Sequence, residues 1–472
     1  MPVTTIIRQV LLGGILLGIS ALARGQQLTW SEPLPWEGES YHTRFIKPLS
    51  SGFLLLAQNP YSRQQFALAH FGDNLSLQHK QNFEAPKNSR LQKTVIIKDS
   101  IFFFFDQKAN DSTRLLSQSY NPQTDSLHDP RAITRFPGEN TSIYLSRASD
   151  SMVNAVAINS NIQKLTYLRL DHRLRIRTSS IYQLEQAFNL GSIISAIAEG
   201  SATALIGKGM DSEEVIYCSL DSSAQSLRSC SLSNDSLSVT TARLGYDQVN
   251  DQFMATGLYQ LASGNTYHGI ARLKDEQEGD FNRSYEDFSQ ELVRRLFGRN
   301  TTRRGLVNFQ LRGLIPRSDG GAVVFLESYQ NDQKVYHDRG YFGTVNKTER
   351  DYHYYEEVVV MAINSRGRTQ GSEVHRKKQT TVNDDGRFSS FSYMIQKKLL
   401  IFIYNSLNSG ALNLLYYTVT PQGELKGELL LKDRYDQLKP IPRKATQVGP
   451  YSVLMPSLKE GRLHLLQVDF NP

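Results

Sequence analysis

The stretch Lys98–Leu116, KDSIFFFFDQKANDSTRLL, places four phenylalanines side by side between two polar turns. A strand with one face in water alternates apolar and polar residues, and this run does not alternate. A membrane-spanning helix needs about 20 apolar residues, whereas this run stops at Asp106. The run is also too short for a buried helix, and turn signals flank it. It therefore predicts a strand that is buried on both faces.

The same pattern of a short apolar run, a polar turn, a second apolar run and a second turn recurs along the chain. Its eight copies begin at residues 53, 101, 152, 201, 253, 321, 399 and 451. The spacings between these starts are 48, 51, 49, 52, 68, 78 and 52 residues. Most copies follow a tight-turn signal such as Ser51-Gly52 or Ser318-Asp319-Gly320. Each unit is therefore predicted to be a four-stranded β-meander.

Repeated four-stranded units of about 50 residues are typical of β-propeller blades. The inner strands of a propeller pack against both neighbouring blades, which explains the phenylalanine run; each burial contributes about 1.5–3 kcal/mol. We predict an all-β fold, a single eight-bladed β-propeller with one short inserted helix. Seven blades with one aberrant unit is the alternative. Two consecutive β-domains are less favoured because no Pro-, Gly- or Ser-rich linker interrupts the spacing.

The two ends of the chain predict how the ring closes. The last unit stops at residues 467–470, just after its third strand, and so lacks an outer strand. Residues 27–36 precede the first full unit and contain the segment Gln27–Trp30. Pairing this segment with the last unit would complete the final blade and leave no open sheet edge.

The first 25 residues are predicted to be a cleaved signal peptide. Arg8 precedes an apolar core at residues 10–23, and small residues at 21, 23 and 25 suit cleavage before Gln26 or, as the second choice, after Ala23. The core is too short for a membrane anchor. We therefore expect residues 26–472 to form the propeller domain, without a membrane span, in the periplasm or outside the cell.

The charge and the cysteines of the chain limit which partners and which redox chemistry we expect. Removing residues 1–25 takes away Arg8 and Arg24 and lowers the formal charge from +7 to +5, a mild excess that does not indicate nucleic acid. Cys218 and Cys230 fall in one repeat unit. If the chain turns near Ser223, they oppose each other on adjacent strands and form a disulfide; two unbonded, half-buried thiols are the alternative.

Two insertions interrupt the repeat, and departures from a scaffold often carry function. The first, 276–305, is predicted to contain a helix capped by Ser284. One face of this helix holds Phe288, Leu292, Leu296 and Phe297. An arginine cluster follows that either binds an anionic polymer or lipid head groups or is simply solvated: Arg294, Arg295, Arg299, Arg303 and Arg304.

The second insertion, 329–356, is rich in tyrosine. Tyrosine combines an apolar ring with a hydrogen-bonding tip and suits contacts with sugars or proteins. The plainer interpretation is an elongated hairpin that uses tyrosine for its β-propensity. The predicted ligand-binding residues are Tyr336, His337, Arg339, Tyr341, Tyr352, His353, Tyr354 and Tyr355. If the first insertion is a connection between blades, we expect both insertions to cover the same mouth of the propeller channel.

Residues 280–410 resemble a family of uncharacterised secreted proteins of Gram-negative bacteria. The resemblance rests on a short helix followed by LRGLIPRSDGGAVVFLESY (311–329), HYYEEVVVMAIN (353–364) and KKQTTVNDDGRFSSFSYMIQKKLLIFIYNSLNSG (377–410). Members of the family often carry Asn-Asp where this chain has Asn405-Ser406. The resemblance implies the architecture and export, with no assigned activity.

Motifs of common enzymes are missing from the sequence. It has no HExxH, no CxxC pair, no GxSxG elbow and no glycine-rich phosphate loop, so we predict no metal and no cofactor. The segment SDGGAVVF (318–325) is similar to the Asp-box of sialidases but occurs once, in an expected turn. We predict a monomeric binding or scaffolding module for a glycan, a peptide or a protein of the cell envelope. The alternative is a polysaccharide lyase or hydrolase that uses tyrosine, histidine and arginine at the same mouth.

Overall fold

The computed structural model is almost entirely β-sheet. It describes residues 26–470 except 35–41, 99, 185–189, 200–201, 210–213, 222, 262–263, 265, 277–280, 340–344, 397–398, 409–410, 421–424 and 433–437. The predicted signal peptide therefore lies outside the described residues. Among those residues there is one α-helix, α1 at Gln290–Phe297, and one short 3-10 helix at Pro442–Lys444. None of the helices in the described part of the chain is long and apolar enough to cross a membrane.

The strands of the described residues form eight antiparallel sheets, one for each predicted repeat unit. The first sheet contains β2–β5 at His42–Pro48, Phe53–Gln58, Gln65–Phe71 and Leu77–Glu84. The second contains β6–β10 at Ser89–Ile97, Ser100–Ala109, Ser112–Asn121, Ser126–Leu127 and Arg131–Pro137. The third contains β11–β14 at Thr141–Ser149, Met152–Asn159, Lys164–Asp171 and Ile176–Gln183.

The next three sheets follow the same order of strands along the chain. The fourth contains β15–β18 at Leu190–Glu199, Ala202–Gly209, Val215–Leu220 and Leu227–Ser231. The fifth contains β19–β22 at Leu237–Asp247, Gln252–Leu261, Tyr267–Asp275 and Asn282–Asp287. The sixth contains β23–β27 at Phe309–Pro316, Ala322–Arg339, Val345–Ile363, Thr369–His375 and Gln379–Val382.

The last two sheets complete the chain. The seventh contains β28–β31 at Phe391–Gln396, Leu399–Asn408, Ala411–Val419 and Leu425–Lys432. The eighth contains β32–β35 at Leu438–Pro440, Thr446–Gln447, Ser452–Lys459 and Arg462–Asp469, together with β1 at Gln27–Trp30. Consecutive four-stranded meanders of this kind confirm the predicted β-propeller fold.

The chain divides into two compact units. The first holds the described residues up to 57, those from 68 to 80 and those from 387 onward, and so contains the seventh and eighth sheets. The second holds residues 58–67 and 81–386, which include the second to the sixth sheet.

In the first unit, the N-terminal segment completes the eighth sheet, as predicted. Strand β1 pairs antiparallel with β35, from Gln27 opposite Asp469 to Trp30 opposite Leu466. Beyond β1, the backbone N–H of Leu34 donates to the carbonyl of Leu463 at 2.8 Å, and the Leu34 side chain is 1% exposed. Edge groups of β35 that would otherwise be open are thereby paired.

In the second unit, apolar clusters join the second sheet to the third, the third to the fourth, the fourth to the fifth and the fifth to the sixth. The phenylalanine run of β7 shows why two-sided burial is required. Phe102 and Phe104 belong to the cluster shared with the third sheet. On the opposite side, the Phe103 ring packs 5.4 Å from that of Phe83. All four side chains are less than 10% exposed, which confirms the predicted buried strand.

Helix α1 packs into the cluster between the fifth and sixth sheets through Leu292, Val293 and Leu296. The predicted cap was wrong: Ser284 lies in β22, the outer strand of the fifth sheet, opposite Arg272. The cap is Ser289, whose Oγ accepts from the backbone N–H of Leu292 at 3.2 Å. The first part of the predicted insertion is thus a regular strand, and the helix begins only after it.

Candidate functional site

The sixth sheet carries a two-stranded extension, here called the ribbon. Strand β23 pairs with β24 only as far as Ser328, and β26 pairs with β25 only from Val358. Between these points β24 and β25 continue to pair as far as Arg339 opposite Val345. Strand β27 pairs with the base of the ribbon at residues 352–355. The described residues of 329–356 therefore form the elongated hairpin that the sequence suggested, with a third strand at its base.

One side of the ribbon, here called the tyrosine face, presents Tyr336, Tyr352 and Tyr354. Their positions follow from the two-residue period of a strand, because Tyr352 and Tyr354 are two residues apart. The rings of Tyr352 and Tyr354 are nearly parallel, at 13°, with centroids 6.3 Å apart. The hydroxyl oxygens of Tyr336 and Tyr352 lie 2.8 Å apart. Lys334 Nζ lies 4.9 Å from the Tyr352 ring centroid, and the Arg350 guanidinium lies 5.1 Å from that of Tyr336.

The electrostatics of the tyrosine face distinguish its two bonded phenols. The hydrogen bond with Tyr336, aided by Arg350, holds the pKa of the Tyr352 phenol below its ordinary value. The same hydrogen bond raises the pKa of Tyr336 above its ordinary value. Either hydroxyl of this pair is able to act as the donor. The pKa of Lys334 is raised by its attraction to Tyr354.

The opposite side of the ribbon base is closely packed. Tyr329 Oη lies 3.2 Å from His353 Nδ1, and the rings of Tyr329 and Tyr355 are 4.7 Å apart. Gly386 lies against Tyr355 with φ +65°, and a Cβ there would come within 2.7 Å of the tyrosine ring. This turn therefore requires glycine for both its conformation and its space. His353 is 7% exposed, and its Nε2 has no hydrogen-bond partner among the described residues.

A buried charge cluster lies where the ribbon leaves the sheet. Glu327 and the side chain of Lys377 are fully buried and form an ion pair at 2.8 Å. Arg312 Nε lies 3.0 Å from the other carboxylate oxygen of Glu327, and Lys377 Nζ donates to Gln379 Oε1 at 2.5 Å. Burial lowers the pKa of Lys377, although Glu327 opposes this effect. The cluster ties β23, β24 and the segment after β26 together beneath the ribbon.

His375 lies close to this cluster and is held in its neutral form. Burial, and next the charge of Lys377, lower the pKa of His375 to about 4. Protonating this side chain would place a further positive charge beside Lys377. The neighbourhood of His375 therefore becomes unfavourable when the solution turns acidic.

The structure separates the predicted ligand-binding residues. Tyr336, Tyr352 and Tyr354 lie together on the tyrosine face. His353 and Tyr355 lie on the other side, and His337, paired with Lys347, follows the same alternation as His353. Arg339 pairs with Val345 near the tip, and Tyr341 lies outside the described residues. Tyrosine and histidine therefore do not converge on one point of the ribbon.

Sequence reasoning missed Glu327, Lys377 and His375. Glu327 follows the apolar run AVVFL, and a carboxylate in a strand that is otherwise buried requires a cation nearby. The carboxylate within this apolar run is therefore the signal in the sequence that a buried ion pair is present. It does not identify the cation that pairs with Glu327, because Lys377 is 50 residues further along the chain and Arg312 lies on a different strand.

Only some arginines of the predicted cluster make contacts with other residues of the protein. Arg295 donates to Glu373 at 2.7 Å and to the carbonyl of Ser372 at 2.9 Å. The Arg303 guanidinium lies 4.6 Å from the ring centroid of Phe297. The remaining three, Arg294, Arg299 and Arg304, are exposed. Arg295 therefore has a structural contact, whereas the exposed members are free to meet solvent or a ligand.

The prediction of a disulfide between Cys218 and Cys230 was wrong, because both cysteines are free. Cys218 pairs with Ser229, and Cys230 pairs with Tyr217, so the register is offset by one residue. Side chains alternate along a strand, and an offset of one residue turns the two thiols to opposite faces of the sheet. Cys218 accordingly packs toward the third sheet and Cys230 toward the fifth. Burial raises the pKa of Cys218 to about 12, which leaves the thiol protonated.

Within the described residues, no three His, Cys, Asp or Glu side chains are grouped so that they could hold a metal ion. Together, the fold and the ribbon define the class of this protein: a β-propeller with a projecting tyrosine face.

Comparison with known proteins agrees only at the level of general architecture. No family model and no curated protein matches the chain, so membership of the secreted family stays a prediction. Among solved structures, the β-propeller domain of the Trilobed protease from Pyrococcus furiosus is 12% identical, covers 82% of this chain and 97% of its own, and has a TM-score of 0.36. The Nup133 β-propeller domain of Vanderwaltozyma polyspora is 9% identical, with 81% and 100% coverage and a TM-score of 0.39. A PL25 ulvan lyase is 10% identical, with 92% and 93% coverage and a TM-score of 0.40.

Proposed function

We propose that this protein is an exported glycan-binding module and that the tyrosine face is its binding surface. The observation that carries the proposal is the pair of nearly parallel, partly exposed rings of Tyr352 and Tyr354, with centroids 6.3 Å apart. Aromatic faces carry negative charge density, and the C–H bonds on the apolar face of a sugar are weakly positive. Two nearly parallel, partly exposed rings thus offer aromatic surface on which a sugar ring stacks.

The polar groups around the rings supply the contacts that orient a sugar. The hydroxyls of Tyr336 and Tyr352 are able to exchange hydrogen bonds with sugar hydroxyls. The charges nearly balance on this face. The carboxylate of Asp332 lies 3.8 Å from Lys334 Nζ and neutralises it, so Arg350 remains as the excess cation. A nearly neutral face favours a neutral or weakly acidic glycan over a polyanion.

The base of the ribbon favours a preorganised surface. The buried contacts of Glu327 with Lys377 and Arg312 fix the strands from which the ribbon extends. The packing of Tyr355 on Tyr329 and Gly386 fixes the side away from the tyrosine face. A surface that is already ordered loses less conformational entropy when a ligand binds.

The test is a binding screen of residues 26–472 on an array of neutral and acidic bacterial and plant polysaccharides, followed by calorimetry with the best binder. Replacing Tyr352 and Tyr354 by alanine should weaken binding by about tenfold for each ring. Tyr61→Ala is the matched control, since Tyr61 is an exposed tyrosine of the first sheet at 90% exposure. Affinity that survives the double substitution, or that falls equally in the control, would remove the tyrosine face from the proposal.

A second candidate is a polysaccharide lyase, and the Tyr352 phenol is the observation that favours it. Its pKa is lowered by Tyr336 and Arg350, which makes the phenolate, the form that acts as a base in a lyase, easier to reach. The test is incubation with polymers that contain uronic acids, monitored by the ultraviolet absorbance of the new double bond. Turnover that Tyr352→Phe abolishes, with binding retained, would favour the lyase over the binding module.

Export is a further part of the proposal and rests on the sequence of residues 1–25. Expression of the full chain in a Gram-negative host should place the protein in the periplasm or the medium. N-terminal sequencing should begin at Gln26 or, for the second cleavage choice, at Arg24. Recovery of a chain that retains Met1 in the cytoplasm would contradict export.

A further inference from the structure

A polar cleft opens between the second and third sheets, both of which lie in the second unit, in a part of the chain remote from the ribbon. Its volume is about 430 Å³. Ser117 and Ser119 of β8 and His128 and Arg131 line one side, and Arg173 and Arg175 of the turn between β13 and β14 line the other. Phe102, the first residue of the phenylalanine run, also lines the cleft.

The cleft adjoins the apolar cluster between the second and third sheets. Leu115 lies in the cluster between the second and third sheets, and Ser117 and Ser119 follow it on the same face of β8. Ser117 is 2% exposed and lines the cleft. A hydroxyl at the wall of a cleft is able to donate a hydrogen bond to an anion bound there.

Among the described residues, no acidic side chain forms an ion pair with the arginines of the cleft. Asp171 begins the turn that carries Arg173 and Arg175, but its Oδ1 accepts from their two backbone N–H groups at 2.8 and 2.9 Å. The other oxygen of Asp171 accepts from Arg177 at 2.9 Å. Asp129 is the single carboxylate among the lining residues. Three guanidinium groups therefore face one carboxylate.

The geometry holds one of these arginines across the interface. Arg131 of the second sheet donates to the backbone carbonyl of Arg173 in the third. This contact positions Arg131 beside the turn and leaves its other N–H groups for a ligand. Guanidinium groups present several donors in a fixed plane, which matches the oxygens of phosphate and sulfate.

We propose that this cleft binds a sugar that carries a sulfate or phosphate ester. The ester group is placed among Arg131, Arg173 and Arg175, with the Ser117 hydroxyl as an additional donor. The volume exceeds ten times the roughly 30 Å³ of one water molecule and lies in the range of small-molecule sites, so a sugar ring fits beside the anion. Ser119 and His128 are then placed to bond its hydroxyls.

The test is calorimetry of residues 26–472 with glucose 6-phosphate, glucose 6-sulfate, inorganic phosphate and plain glucose. Both esters should bind, with an affinity that falls as salt is added, and plain glucose should not bind. Arg175→Gln should weaken the esters by about tenfold or more. Arg63→Gln, which removes an exposed arginine of the turn between β3 and β4, is the matched control and should leave binding unchanged.

Ser117→Ala separates a binding role from a structural one. The substitution should weaken ester binding a few-fold, because one donor to the anion is lost, while the unfolding midpoint stays constant. Failure of both esters to bind, or equal binding by Arg175→Gln, would overturn the site. Inorganic phosphate that binds as tightly as the esters would overturn the sugar part, and a Ser117→Ala protein of lower stability would make that hydroxyl structural.

Discussion

Strand β7 makes a sharp prediction, because adjacent phenylalanines face different sheets. The ring of Phe103 is 5.4 Å from that of Phe83, whereas Phe104 lies in the cluster with the third sheet. Aromatic pairs at this distance contribute about 0.5–1.5 kcal/mol beyond the area that they bury. We therefore expect Phe83→Leu and Phe103→Leu to be coupled by about 1 kcal/mol. The same cycle with Phe104→Leu in place of Phe103→Leu should show coupling below about 0.5 kcal/mol.

The assay is urea-induced unfolding of residues 26–472, followed by circular dichroism, for the wild type, the three single variants and the two double variants. Leucine keeps each site apolar and nearly filled, so each single variant should lose only about 1 kcal/mol and remain folded. The slope of the unfolding free energy against urea should stay constant, so that the cycles compare the same transition. Equal coupling of Phe83 to Phe103 and to Phe104 would refute the two-sided strand.

Three other perturbations test the rest of the architecture. Deleting residues 27–36 should lower the midpoint of thermal unfolding by several degrees, and adding the deleted segment as a peptide should restore it. A midpoint that the deletion leaves unchanged would contradict closure by β1. Lys377→Ala should lower the free energy of unfolding in urea by about 3–5 kcal/mol, because Glu327 keeps its buried charge without a partner. Adding Glu327→Gln to this variant should recover part of the loss, and two additive losses would argue against the ion pair. The pKa of His375 is about 4 in the folded protein and near 6.5 in the unfolded chain, so the unfolded chain binds more protons between these values and stability falls as the pH drops. Relative to His375→Gln, the wild type should lose about 2 kcal/mol of unfolding free energy between pH 7 and 5. Parallel pH profiles of the two proteins would contradict a buried neutral imidazole.

The sequence predicts those features that depend on short-range pattern. The phenylalanine run requires apolar neighbours on both sides whatever those neighbours are, so its burial follows without knowledge of Phe83 or Phe66. The closing strand follows because the last unit lacks its outer member and only one unassigned segment, Gln27–Trp30, offers a strand. Periodicity also identifies the buried face of α1, because the apolar residues recur at helical spacing.

Features that depend on register or on long-range pairing were not predictable in this way. The cysteine prediction failed by a single residue of offset between β17 and β18, which no composition rule resolves. The cap prediction failed because the fifth sheet needed residues 282–287 for its outer strand before the helix began. For the site, the tyrosines were identifiable, but their separation from His353 depends on which side of the ribbon each residue faces. The serines of the cleft, Ser117 and Ser119, resemble ordinary strand residues until the third sheet is placed beside them.

The pairing of β1 with β35 has a consequence for biosynthesis. Gln27 and Asp469 are partners, so almost the whole chain must be synthesised before the eighth sheet is able to form. Until β35 has been synthesised, β1 has no partner strand, and Trp30 and Leu34 stay uncovered. Closure of the eighth sheet is therefore a late step in the folding of this domain.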